Sequence, residues 1–208
     1  MKPTGAQLAV QALEALGIKY TFGIPGVHNT ELYDALNNSE LITPILVTHE
    51  GGAAFMADGV SRTSDQIGTL VIVPAAGVTH AASGIGEAFL DGVPMLVICG
   101  GIRTDLDKRY QLHELDQHAF IKPLTKANFL ITSHAEIIPT LFKAWEIAHS
   151  DEPGPVFVEI PVNLQMFPGE ASTIPAPPVI VKPQQAAAAD IQRAAEMLLA
   201  AKHPGLFL

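Results

Sequence analysis

The chain has 208 residues, 48% of them apolar, and its 21 acidic against 12 basic residues give a net charge of −9 and a pI near 5.2. That length supplies one large domain, or one domain with part of another, and the acidic balance disfavours nucleic-acid and anionic-membrane partners in favour of a small molecule. The single cysteine, Cys99, reads as a small buried apolar residue and excludes an internal disulfide framework; with no leader-like start and no apolar run near the ~18 residues of a spanning helix, a soluble cytoplasmic protein is expected.

In chain order, Thr4-Gly5-Ala6-Gln7 has the form of a capping box, Leu8, Ala12, Leu13 and Leu16 follow at helical spacing, and Gly17 can supply the left-handed cap. A short strand in "KYTFGIPG" and a short helix in "NTELYDAL", capped by Asn29 or Thr30, come next. Strand-like runs at 44–47, 69–73, 94–99, 128–131 and 156–160 then alternate with helical patterns at 52–62, 80–90 and 134–149, the last with Ser133 to Glu136 as a second capping box. Runs such as "TLVIV", "MLVIC" and "PVFVEI" are continuously apolar, as strands buried on both faces are. The expected fold is α/β: a doubly wound, mostly parallel sheet with helices on both faces.

After this pattern, "FPGEASTIPAPPVIVKPQQAAAA" carries a high density of proline and alanine, as extended linkers do. Asp190 is then expected to cap a helix, "IQRAAEMLLAAK", and "LFL" to begin a buried strand. This gives a domain over residues 1–167, a linker over 168–188, and over 189–208 the truncated start of a second domain, since a helix and half a strand bury no core of their own.

Open parallel sheets bind ligands at the carboxyl ends of their strands. Four turns there are polar or glycine-rich: Gly23 to Asn29, Thr48 to Gly52, Pro74 to His80 and Gly100 to Gln117. None fits the dinucleotide fingerprint: "GIPGVHN" has glycines three apart, "GIGEAF" lacks the last glycine, and no P-loop lysine and hydroxyl pair occurs. Glu50 stands where a phosphate would sit, at the start of a helix, and two anions there would repel. Desolvation raises the pKa of such a carboxyl and the helix terminus lowers it, a balance suited to sharing a proton with a ligand; a solvated N-terminal acid that caps its helix has the same spacing. His28, His49, His80 and His113 fall in or beside these turns, without a metal-binding spacing.

At these residues the chain resembles a known family. "GAQLAVQALEALGIKYTFGIPG", "THEGGAAFMADGVSR", "GVTHAASGIGEAFLDGVPMLVICG", "DQHAFIKPLTK" and "GPVFVEIPVNLQ" are similar, in unbroken order over about residues 3 to 167, to the pyrimidine-binding (PYR) domain of thiamine-diphosphate enzymes. The branch is that of acetolactate synthase, benzoylformate decarboxylase and benzaldehyde lyase. The resemblance implies that Glu50 hydrogen-bonds the cofactor's aminopyrimidine and so favours the tautomer able to deprotonate the thiazolium carbon. On this reading Glu50 lacks a protein partner because its partner is the ligand. By the same resemblance Pro25, Gly26, Ala76 and His80 line the pyrimidine pocket, and His28 and His113 serve proton transfer or substrate placement. The chain departs from the family in carrying Ala75-Ala76-Gly77 for Gly-Pro-Gly, His80 for asparagine and His113 for glutamine, so the substrate stays open.

The family holds magnesium and the diphosphate through a separate domain whose G-D-G...N motif is not found here. The resemblance therefore implies thiamine diphosphate and Mg2+ as cofactors, a 2-oxo acid or related carbonyl as substrate, a homodimer or homotetramer, and no activity for this chain alone. The alternatives are a nicotinamide-dependent dehydrogenase domain and a noncatalytic binding or regulatory module.

Overall fold

The structure is a computed structural model that describes residues 2–107, 110–179 and 185–205. The chain divides into two units, Met1–Pro178 and Val179–Leu208. The first unit contains, in order, α1 (Gly5–Ala15), β1 (Tyr20–Gly23), α2 (Thr30–Asn37), β2 (Thr43–Leu46), α3 (Glu50–Thr63), β3 (Gly68–Ile72), α4 (Ala76–Leu90) and β4 (Met95–Gly101). It continues with α5 (Gln117–Ile121), a 3-10 turn (Lys122–Leu124), β5 (Ala127–Leu130), α6 (His134–His149), β6 (Pro155–Pro161) and α7 (Val162–Met166).

The six strands form one sheet in the order β2-β1-β3-β4-β6-β5, with every pairing parallel. Every residue of β3, β4 and β6 is buried, which is why their sequences are apolar without alternation. The edge strands β2 and β5 are only partly covered. Side chains alternate across the sheet: Leu96, Ile98, Val156 and Val158 pack with α1, α2 and α6, while Met95, Val97, Cys99 and Phe157 pack with α3, α4 and α5. Cys99 is fully buried, and desolvation pushes its thiol well up from the ordinary range.

The expected cap of α1 is present at both ends. Thr4 Oγ1 accepts from Gln7 N–H, the Gln7 side chain accepts from Thr4 N–H, and Ile18 and Gly17 close a Schellman motif on Leu13 and Glu14. Other caps differ. Ser133 makes no side-chain cap bond on α6: the Glu136 N–H that such a bond would use donates to the Ser133 carbonyl at 3.2 Å, and the Glu136 carboxylate accepts from the N–H and hydroxyl of Thr132. Asn29 does not cap α2; its side chain accepts from Gly26 N–H and donates to Ile24 C=O, folding the turn after β1. Helices α3 and α4 begin two and four residues before the expected 52 and 80.

Pro139 lies inside α6 and has no N–H for the carbonyl of Ala135, four residues back. The Ser172 hydroxyl donates to that carbonyl at 2.6 Å. With the Thr4–Pro168 bridge and the Gly169 N–H bond to Pro3, this contact keeps the segment after α7 on the first unit.

In the second unit, α8 (Ala188–Ala200) follows an N-cap at Ala187, so Asp190 lies in its first turn rather than at its cap. The expected strand at 206–208 lies outside the described residues. No helix among the described residues is long and apolar enough to cross a membrane.

Candidate functional site

The sheet order reverses between β1 and β3, and such a switch point opens a crevice at the carboxyl ends of the strands. The turns after β1, β2 and β3 flank it, and they carry Pro25 and Gly26, Glu50, and Ala75 to His80 respectively.

Glu50 is the first residue of α3 and is buried, at 8% exposure. Its cap is His49, whose Nδ1 accepts the Gly51 N–H at 3.0 Å, so that nitrogen carries no proton. Contrary to expectation, the carboxylate has a protein partner. Glu50 Oε2 lies 3.1 Å from His80 Nδ1, and the His80 ring stacks on His49 at 5.0 Å. The other oxygen, Oε1, has no hydrogen-bond partner among the described residues. The two helices can approach because small residues face each other one turn further on: a Cβ at Gly84 would lie 2.5 Å from Ala54 Cβ. His80, expected to line the pyrimidine pocket, is thus brought to the carboxylate.

Tyr33 completes this side. Its hydroxyl donates to Val71 C=O at 2.9 Å, and burial together with the nearby Glu50 charge pushes its pKa upward. With Pro25, Pro44 and Leu46 it lines a concavity of about 420 Å3. A larger groove of about 970 Å3 lies between α1, α2 and α7. Neither groove includes Glu50; the buried carboxylate at the switch point, rather than volume, marks the site. Pro25 and Ala76 are exposed at the rim.

His28 and His113 form a second pair, with their Nδ1 atoms 3.4 Å apart. His28 is buried, and desolvation and then the neighbouring His113 hold its pKa below the ordinary 6.5. His113 adopts φ 65°. No hydrogen bond among the described residues joins this pair to Glu50 and His80.

Three contributors give no sequence signal, Tyr33, Gln117 and the buried Glu159, while His49, which the sequence places beside a turn, serves as the cap of α3. Gln117 Oε1 accepts the Ala75 N–H at 3.2 Å. Glu159 Oε2 lies 3.0 Å from His118 Nε2, an ion-pair distance without an in-line ring N–H, and this contact is the main cause that raises His118 above 6.5.

Residues 3–120 match the family model of the thiamine pyrophosphate enzyme, N-terminal TPP binding domain. The acetolactate synthase isozyme 1 large subunit of Escherichia coli (strain K12) is 35% identical over 205 residues, 99% of this chain and 36% of the relative. The acetolactate synthase large subunit of Haemophilus influenzae is 38% identical over 160 residues, covering 77% of this chain and 28% of the relative. The probable acetolactate synthase large subunit of Methanocaldococcus jannaschii is 38% identical over 161 residues, covering 77% and 27%. The chain therefore spans roughly a third of the length of these relatives, and it belongs to the thiamine pyrophosphate enzymes, as their N-terminal TPP-binding domain.

Proposed function

We propose that this chain is the pyrimidine-binding part of a thiamine-diphosphate-dependent enzyme that acts on a 2-oxo acid or related carbonyl by decarboxylation, carboligation or C–C cleavage. The relatives named acetolactate synthase support a 2-oxo acid as the substrate class. The observation that carries the reading is the state of Glu50: a buried carboxylate at the switch point, with one oxygen held by His80 and the other without a partner among the described residues. An unpartnered acceptor at the mouth of a buried site suits a ring N–H, and the residues therefore fit the aminopyrimidine.

When bound, thiamine diphosphate supplies an acidic thiazolium carbon and an aminopyrimidine base. Glu50 holds the proton at the pyrimidine ring nitrogen, and His80 fixes the rotamer from which it does so. Pro25, Gly26 and Ala76 supply the rim against which the ring is placed. His28 is kept neutral by burial and is suited to accept a proton on the substrate side, with His113 as its donor or acceptor partner. Among the described residues no group of three or more His, Cys, Asp or Glu could hold a metal, so no step here is assigned to Mg2+. Exposed Phe55, Met56, Phe89 and Leu90 on α3 and α4 support a homodimer or homotetramer. The fully buried thiol of Cys99 is compatible with a cytoplasmic protein.

The test is Glu50→Gln in the complete enzyme, followed by NMR of hydrogen–deuterium exchange at the thiazolium carbon. Exchange should slow by about two orders of magnitude or more; an unchanged rate overturns the assignment.

A further inference from the structure

Between β3 and α4 the chain turns within three residues, and Ala75, the N-cap of α4, has φ 52° and ψ −91°. This is close to the strained γ-turn region and is disfavoured for a residue with a Cβ. Such a residue is strained and persists only where its surroundings over-determine it. Ala75 has no side-chain oxygen with which to cap its own helix. Its carbonyl accepts the Thr79 N–H at 2.9 Å, and its N–H is held from outside by Gln117.

Gln117 is 3% exposed at the first position of α5, so its oxygen is fixed by packing. The Cys99 thiol on β4 lies 3.8 Å from the same oxygen. One buried amide thus joins the sheet, α5 and the strained start of α4. His80 stands one turn into α4 and reaches Glu50 from there. A helix that left the sheet at a different angle would carry His80 away from the carboxylate.

We propose that Gln117 is a positioning residue for the Glu50–His80 pair, acting by pinning the Ala75 amide. Its consequence for the cofactor rests on the function proposed above; its consequence for the pair does not.

The test uses the histidine-ring 15N signals of the ligand-free chain, with Glu50→Gln as the reference for a broken pair. In Gln117→Met the His80 signals should move toward that reference. In the double variant Ala75→Gly/Gln117→Met they should return, since glycine holds the turn without strain and makes the pin unnecessary. A general loss of stability would not produce that return. If Gln117→Met fails to fold, Gln117→Glu, which keeps an acceptor oxygen, should fold with wild-type His80 signals. His80 signals unmoved in Gln117→Met, moved in Gln117→Glu, or unrestored by glycine overturn the proposal. In the complete enzyme, exchange at the thiazolium carbon should fall by about tenfold to a hundredfold in Gln117→Met. If the His80 signals move while exchange holds, the positioning stands and the catalytic role of the pair falls.

Discussion

Glu50 and His80 meet at 3.1 Å although they belong to different helices that follow different strands, Glu50 as the first residue of α3 and His80 one turn into α4. The carboxylate side chain is 10% exposed and the imidazole 52%, so the contact is half in solvent. A pair of that kind is worth little, about 0.5–1 kcal/mol of coupling. A double-mutant cycle of Glu50→Gln and His80→Ala, read by urea denaturation, should return a value in that range. A coupling of zero would mean that the two side chains do not hold each other in solution.

The close approach of α3 and α4 gives a second prediction. Gly84→Val places a side chain where a Cβ alone would already stand 2.5 Å from Ala54 Cβ. The helices must separate, at a cost of about 1–3 kcal/mol. The His80 ring signals should shift with them, since the pair sits one turn away. Thermal denaturation with NMR of the histidine rings checks both; wild-type stability with wild-type signals would show that the helices yield without disturbing the site.

Much of this architecture could be read in the residues, and the failures have local causes. The continuous apolar runs at 69–73, 94–99 and 156–160 signal strands covered on both faces, and β3, β4 and β6 are the buried centre of the sheet. Helices α5 and α7 have five residues each, too few to show a helical period. The start of α3 was displaced because its cap is a histidine, outside the usual Ser, Thr, Asp and Asn. The start of α4 was displaced because alanine gives no warning of a positive φ. Glu50 could be singled out by its place before a helix. Its pairing with His80 could not, because that contact depends on the packing of Ala54 against Gly84, which no spacing along the chain encodes.

Two imidazoles, the buried His28 and the half-buried His118, should titrate on opposite sides of 6.5. The Glu159 contact raises His118, while burial and then His113 lower His28. The stabilisation from His118 is fully present below pH 6.5 and is lost as pH rises through its higher folded value. For His28 the neutral ring is the stable form, so stability is present above pH 6.5 and lost as pH falls through its lower folded value. NMR titration should therefore place His118 above 6.5 and His28 below it. The stability lost in His118→Gln should be largest in acid and shrink above neutrality; a loss independent of pH would assign the contact to packing alone.

The segment after α7 carries the last prediction. Pro139 removes the N–H that the Ala135 carbonyl would otherwise accept, and Ser172, 37 residues on, replaces it at 2.6 Å. Ser172→Ala should cost about 0.5–1 kcal/mol, the net value of one hydrogen bond near solvent. Its effect should be local, because other ties of this segment, among them Thr4 to Pro168, Gly169 to Pro3 and Lys2 to Glu170, lie before residue 172. Limited proteolysis should then cut first within residues 170–178, at a faster rate than in the wild type, while the sheet core keeps its protection. In a Pro139→Ala background the carbonyl regains a helical partner, and the same serine substitution should lose most of its effect. An undiminished effect in that background would mean that Ser172 serves the segment itself rather than the interrupted helix.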